Sequence, residues 1–222
     1  MALTHHNRIS IEKYRDKAAG YDASAEFTMP LRRRTVALLQ LEAGQTVLDI
    51  GAGTGLSYAL LRDGVGPSGR VLAFEQSPDM FAHARRRAER LADARLWHVN
   101  APAETVTLPE PADAVLFNYV HDISRTPAAV DNILRQARPG ARIAMAGMKF
   151  FPWWTGPLNL LAWLKNRPYN ARPADLWQPW DRVARHCERF ELQATQWGMG
   201  YIACGVLRRE SAAAPGRQGE SA

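Results

Sequence analysis

The residues best suited to chemistry in this 222-residue chain sit where Val47-Leu48-Asp49-Ile50 runs into Gly51-Ala52-Gly53-Thr54-Gly55. Glycine lets backbone approach a ligand closely and take positive φ, and a helix starting just after such a turn offers free N–H groups and a positive dipole end. A dinucleotide dehydrogenase shows GxGxxG, but here Leu56 stands where its third glycine belongs and Gly55 arrives one residue early. The spacing GxGxG therefore argues for a different ligand end at the turn. About twenty residues further on, Ala73-Phe74-Glu75-Gln76-Ser77 places an acid at the end of a second apolar run. A carboxylate there accepts hydrogen bonds from a ribose diol, which makes Glu75 the candidate for both hydroxyls. A fourth apolar run, Ala114 to Val120, ends in His121-Asp122, and an imidazole at that edge is a candidate general base. The alternative for His121 is packing at the start of the next helix.

Elements that could position these groups are legible as short β-rich runs alternating with helical patterns, the mark of a parallel sheet covered on both faces. The strands are expected at Thr46 to Ile50, Arg70 to Glu75, Ala94 to Asn100, Asp113 to Tyr119 and Arg142 to Met148. Helices are expected at Leu56 to Arg62, Pro78 to Leu91 and Pro127 to Ala137, two of them with proline well placed at the start. Phe190 to Gln196 and Tyr201 to Arg208, joined through Gly198-Met199-Gly200, read as a hairpin that closes the sheet. The fold class is thus α/β, a doubly wound, seven-stranded, mostly parallel sheet ending in an antiparallel hairpin. An N-terminal helical lid is expected over 1–41, broken near Gly20-Tyr21-Asp22 and restarted after Met29-Pro30. A single domain is expected over 42–210, with a Trp-rich helical insert at 151–187, and a small polar tail at 211–222 that reads as disordered.

With these motifs in order, roughly residues 45 to 150 resemble the class I, S-adenosylmethionine (SAM)-dependent methyltransferases. The resemblance rests on the glycine turn, the acid Glu75, the Asn100-Ala101 pair and the Pro139-Gly140 turn before the fifth strand. It implies SAM as cofactor and S-adenosylhomocysteine as product. By the family pattern Gly51, Ala52, Gly53 and Gly55 pack against the amino-acid end of SAM, and Asp49 meets its ammonium directly or through water. Gln76 and Met80 would lie beside the adenine, with core packing the alternative for Met80. Asn100 stands where the family usually carries an acid for the adenine amino group. Its amide oxygen can accept the same bond, and Glu104 is the alternative. Asn118 would line the cofactor pocket. Tyr14 and Tyr21 occupy the segment from which related enzymes draw a lid tyrosine, so Tyr14 is a cofactor-binding candidate and Tyr21 a catalytic one, with amphipathic packing the alternative for both.

The implied activity is methyl transfer to O or N of a small, fairly hydrophobic metabolite. Such an in-line displacement needs alignment and exclusion of water, and a general base is optional. Five of the seven tryptophans fall in the insert, where acceptor specificity usually resides in this family. An aromatic acceptor pocket is one reading. Tryptophan beside Lys165, Arg167 and Arg172 equally suits a membrane surface, which would fit a lipid head-group N-methyltransferase with peripheral contact through 151–180. Packing of the insert on the sheet is the third reading.

Composition narrows the remaining classes. The chain is 46% hydrophobic and 23% charged, ordinary for one globular domain with a substantial core. A formal charge of +6, a pI near 9.7 and the runs Arg32-Arg33-Arg34 and Arg85-Arg86-Arg87 admit nucleic acid as a partner, or else describe a solvated arginine-rich surface. No specific nucleic-acid motif occurs, and no Asn-Pro-Pro-Tyr-type tetrapeptide follows the fourth strand. A silent SAM-binding or RNA-binding protein is the non-catalytic alternative. Cys187 and Cys204 belong to no CxxC pair and read as reduced thiols, and no motif asks for a metal. Met1 to Ser10 carries no apolar h-region, so a cytoplasmic location is expected, as monomer or homodimer. Phe150 to Leu164 is broken by Pro152, Gly156 and Pro157 and is too short to span a bilayer.

Overall fold

The computed structural model describes residues 28–151, 155–166 and 176–209. Its elements run α1 (Met29–Leu38), β1 (Thr46–Ile50), α2 (Tyr58–Val65), β2 (Arg70–Glu75), α3 (Pro78–Leu91), β3 (Leu96–Asn100), β4 (Ala112–Asn118), α4 (His121–Ser124), α5 (Pro127–Arg135), β5 (Ala137–Met148), α6 (Gly156–Asn166), α7 (Asp181–Ala184), β6 (Cys187–Thr195) and β7 (Gly200–Leu207). One seven-stranded sheet has the order β3-β2-β1-β4-β5-β7-β6. Strands β1 to β5 pair in parallel, and β7 lies antiparallel to both β5 and β6. The expected sheet and its closing hairpin are therefore present.

Burial explains why β1 and β2 form where the sequence places them. Every residue of β1 is buried, as are Val71 to Glu75 of β2, so continuous apolar runs are covered on both faces. Fully buried Ile50, Leu72, Phe74, Phe117 and Ile143 belong to the main core, each contributing about 2 kcal/mol by removal from water. Helix α3 begins where Ser77 caps Met80 N–H through its hydroxyl and Pro78 opens the first turn, and it stops at Ala92 in the left-handed region. Met80 and Ala84 face inward, while Arg85 pairs with Glu89 on the solvent side.

Several boundaries differ from expectation for identifiable reasons. Helix α2 starts at Tyr58 and not at Leu56, because residues 52–58 close consecutive turns through Gly55 N–H to Ala52 O and Tyr58 N–H to Gly55 O. The Pro139-Gly140 turn lies within β5, which already pairs at Ala137; Gly140 takes φ +83° and the register shifts between Ala112 and Ala114. In the hairpin, a short 3₁₀ turn at Gln196–Gly198 takes up part of the connection expected at Gly198-Met199-Gly200, so β6 ends at Thr195 and β7 begins at Gly200. Both cysteines are free thiols, and burial pushes Cys187 up to about 11. Of the expected lid only α1 and the residues that follow it are described; residues 1–27, Tyr14 and Tyr21 among them, and the tail lie outside the described residues. No helix among the described residues is long and apolar enough to cross a membrane.

Candidate functional site

The strand order reverses direction between β1 and β4, and in open α/β sheets ligands bind in the crevice at that point. A solvent-open cavity of about 580 Å³ lies there. Three carboxyl-end loops line it: residues from Gly51 to Leu56 after β1, Glu75 to Met80 around the end of β2, and Asn118 to Ile123 at the end of β4. Arg32 of α1 completes the wall.

The glycine turn is built for close approach. Gly51 takes φ +55°, and a Cβ there would lie 2.7 Å from Val120 Cγ1 and 3.0 Å from Ile123 Cδ1, so this glycine lets the β1 and β4 edges meet. Gly53 also takes positive φ, at +60°, yet the nearest atom to its absent Cβ is Met80 Cε at 4.0 Å. That open face belongs to the cavity, where backbone can meet a ligand.

Glu75 organises the second loop. Its Oε2 accepts from Gly53 N–H at 2.8 Å and its Oε1 accepts from Ser77 N–H at 2.7 Å, which joins the loops after β1 and β2. Burial pushes its carboxyl up to about 7 against the opposing effect of these bonds. A carboxylate has acceptor capacity beyond two bonds, so these contacts leave room for a diol. Asp49 does not line the cavity directly. It is buried in β1, its Oδ2 has no hydrogen-bond partner among the described residues, and burial raises it to about 7, with Arg32 lowering and Glu75 raising it.

Asn118 is 5% exposed, and neither amide atom has a partner among the described residues. An unsatisfied buried amide costs about 1–3 kcal/mol, so these atoms are suited to a ligand's polar groups. Gln76 and Met80 line the cavity, Met80 from a buried position at the start of α3. Asn100 and Ala101 do not line it, nor does Glu104; Asn100 Nδ2 donates to Glu75 O at 2.7 Å, which engages the amide nitrogen and not the oxygen.

Of the two readings for His121, general base or packing at the helix start, the structure places the ring in a packing position away from the cavity. The ring is buried, does not line the cavity, and sets Nε2 2.8 Å from Met148 O and 2.9 Å from Met148 N. Burial lowers its pKa, and Tyr201 packs edge-on against it. Its place depends on Gly147, whose absent Cβ would lie 2.5 Å from His121 Nε2 and 3.2 Å from Tyr201 Cε1. Gly147→Ala is expected to destabilise the fold by about 1–3 kcal/mol, read from urea denaturation midpoints, because the ring must be displaced. Unchanged stability would show that His121 is free to move.

Arginines treated as a uniform surface feature divide in two. Arg85 is solvated, whereas Arg87 Nε donates to Thr54 O in the glycine turn at 3.0 Å. Arg32 is 5% exposed, and its Nη1 donates to Ser57 Oγ at 2.9 Å. Its signal in the sequence is spacing: Arg32, Thr35, Val36 and Leu39 are all buried and fall on one helical stripe. Within the insert, Trp180 packs on Tyr201 against the core, and Trp177 packs on Phe150 but stays 42% exposed.

A family model described as a methyltransferase domain matches residues 47–140. Over 202 residues the chain is 28% identical to aklanonic acid methyltransferase DauC of Streptomyces sp. (strain C5), covering 86% of this chain and 90% of that protein. It is 29% identical over 135 residues to protein-L-isoaspartate O-methyltransferase of Aeropyrum pernix, covering 61% of this chain and 48% of that one. The chain spans half the length or less of several such relatives. A crystal structure of a SAM-dependent methyltransferase from Aquifex aeolicus superimposes with TM-score 0.59 at 18% identity, covering 79% and 89% of the two chains. Residues 47–140 are therefore a methyltransferase domain, carried on the fold of the class I, SAM-dependent methyltransferases. The cofactor of that class is SAM. The site fits it: Glu75 in the cavity wall and Asp49 behind it offer buried acids to a ribose diol and an ammonium, Gly53 leaves an open face for close approach, and the Asn118 amide atoms, without partners among the described residues, suit polar groups.

Proposed function

We propose that this chain transfers a methyl group from SAM to an O or N atom of a small, fairly hydrophobic metabolite. The observation that carries the reading is the switch-point cavity, where the glycine turn, Glu75, Gln76 and Met80 meet Asn118, whose buried amide atoms have no partner among the described residues. Similarity over 86% of this chain to a protein named as an aklanonic acid methyltransferase supports a small-molecule acceptor. In this reading Glu75 holds the ribose diol, Gln76 and Met80 flank the adenine, Asn100 accepts from its amino group, and Asp49 balances the ammonium. The cofactor supplies a methyl carbon activated by its sulfonium, to which an acceptor lone pair bonds as the C–S electrons return to sulfur. Protein groups then have to align the acceptor and exclude water. With His121 committed to Met148, an acceptor that ionises readily or is a neutral amine is favoured.

Incubation with methyl-labelled SAM and a panel of hydrophobic phenols, carboxylic acids and amines tests this. Label in at least one acceptor, with matching S-adenosylhomocysteine release, is expected. Intact cofactor binding with no transfer to any acceptor class would make the chain a silent SAM-binding protein. A second reading, methylation of a lipid head-group, draws on the exposure of Leu158, Leu160 and Leu164 of α6 and of Trp177 in the same insert. Sedimentation with anionic vesicles checks it, and protein left in the supernatant removes it.

A further inference from the structure

Asp122 lines the switch-point cavity, and none of the proposed cofactor contacts draws on it. The backbone at the end of β4 explains how it gets there. Tyr119 takes φ +62°, a left-handed conformation that a tyrosine adopts only at a cost, and its N–H donates to Ala146 O at 2.8 Å. That turn brings Asn118, Tyr119 and Asp122 to the cavity wall, while His121 is drawn back onto Met148. Asp122 is half-buried in the first turn of α4, and its Oδ1 accepts from Ile123 N–H at 3.1 Å. Burial holds the Glu75 carboxyl up and the Asp122 charge adds to that effect, so the two acids act across one space.

Strand order decides which end of the cofactor Asp122 meets. With adenine and ribose on the β3–β2 side of the proposed site, the sulfur and its methyl lie toward β1 and β4. Glu75 and Asp49 are engaged there by the diol and the ammonium, which leaves Asp122 for the acceptor. An ionised carboxylate only accepts hydrogen bonds, whereas the Asn118 amide offers both a donor and an acceptor. Asp122 therefore selects an acceptor group that carries a proton, and its charge repels a carboxylate or phenolate. Arg32, the one cation among the described lining residues, is tied to Ser57 just after the glycine turn, and its charge acts on Asp49. Transfer to an amine moves positive charge from sulfur to nitrogen, and a carboxylate beside that nitrogen stabilises the charge as it develops. Transfer to an anion cancels charge and gains nothing from such a neighbour. Resting on the proposed SAM site, we propose that Asp122 is a catalytic residue on the acceptor side and that it makes the chain an N-methyltransferase of a small hydrophobic amine. The amine arrives as an ammonium hydrogen-bonded to Asp122 and passes one proton through that carboxylate to water. Its freed lone pair bonds to the methyl carbon as the C–S electrons return to sulfur. The methylated nitrogen, positive again, stays paired with Asp122 until release.

The test compares S-adenosylhomocysteine with sinefungin, which carries a primary amine on carbon in place of the sulfur-bound methyl. Its ammonium thus probes the spot where an acceptor nitrogen meets the methyl. In calorimetric titration of the full chain, sinefungin is expected to bind about 10-fold more tightly than S-adenosylhomocysteine, the gain of one charge-assisted bond. Asp122→Asn should remove most of that preference, and Asp122→Glu should restore part of it. With methyl-labelled SAM, amines should take the label, and Asp122→Asn should lower kcat for them at least about 10-fold. Equal affinity of the unaltered protein for the two ligands, or a preference that survives Asp122→Asn, would place Asp122 away from the methyl and overturn the proposal. So would label confined to phenols or carboxylic acids. If the unaltered protein binds neither ligand, the proposed cofactor site itself fails. If it binds S-adenosylhomocysteine without preferring sinefungin, only the role of Asp122 fails.

Discussion

Glu75→Ala should lower S-adenosylhomocysteine affinity at least about 100-fold, roughly 3 kcal/mol, and should also destabilise the protein without ligand. Both effects come from the same two oxygens. Oε2 holds Gly53 N–H and Oε1 holds Ser77 N–H, so removal of the carboxylate leaves two amides without an acceptor and unties the loops that shape the cavity. Each orphaned amide costs about 1–3 kcal/mol, partly offset because a buried carboxyl is no longer desolvated. Glu75→Gln separates the contributions. Its amide keeps one acceptor oxygen for one loop, so stability should recover more than binding, since the ribose loses a carboxylate partner. Calorimetric titration beside urea denaturation reads both quantities. Equal affinity in all three proteins would place the diol elsewhere.

Changing pH should move stability and cofactor affinity in opposite directions. Burial holds Asp49 and Glu75 near 7, well above ordinary carboxylates. For a raised pKa the folded state binds the extra proton. The stability this contributes is fully present below the unfolded values near 4, and it is lost as pH climbs through about 7. Each pH unit of displacement corresponds to about 1.4 kcal/mol per group, so the ligand-free protein should lose several kcal/mol across that window. Binding runs the other way. An ammonium and a diol favour the ionised carboxylates, so affinity should rise up to about tenfold per pH unit per group as pH approaches 7, then level off. Thermal shifts induced by S-adenosylhomocysteine at pH 5 and pH 7 check this, with Asp49→Asn expected to flatten the profile. A ligand-induced shift as large at pH 5 as at pH 7 would mean that neither acid ionises for the cofactor.

The sheet and the cofactor loops were legible because local sequence dictates them. Strands β1 and β2 fall at the expected residues, since a strand buried on both faces is a continuous apolar run bounded by turn residues. Gly51, Gly53 and Glu75 declare themselves through spacing, and the structure brings all three to one cavity. Side-chain direction is another matter. His121 sits at the expected end of β4, but whether its ring points into the crevice depends on Gly147 in β5, a contact no local pattern encodes. Arg32 was hidden in the opposite way. Counted with Arg33 and Arg34 it is surface charge, whereas its spacing with Thr35, Val36 and Leu39 puts it on the buried stripe of α1. The Pro139-Gly140 turn was recognised, yet it interrupts β5 and does not precede it, because pairing with β4 resumes on both sides of the irregularity.

Calorimetric titration of the full chain with S-adenosylhomocysteine, repeated with Asp49→Ala, tests most directly whether the switch-point cavity is a methyl-donor site. Micromolar binding by the unaltered protein, lost in a variant that remains folded, is the expected result. A folded chain that takes up no S-adenosylhomocysteine, or an Asp49→Ala variant that binds it unchanged, would contradict the assignment.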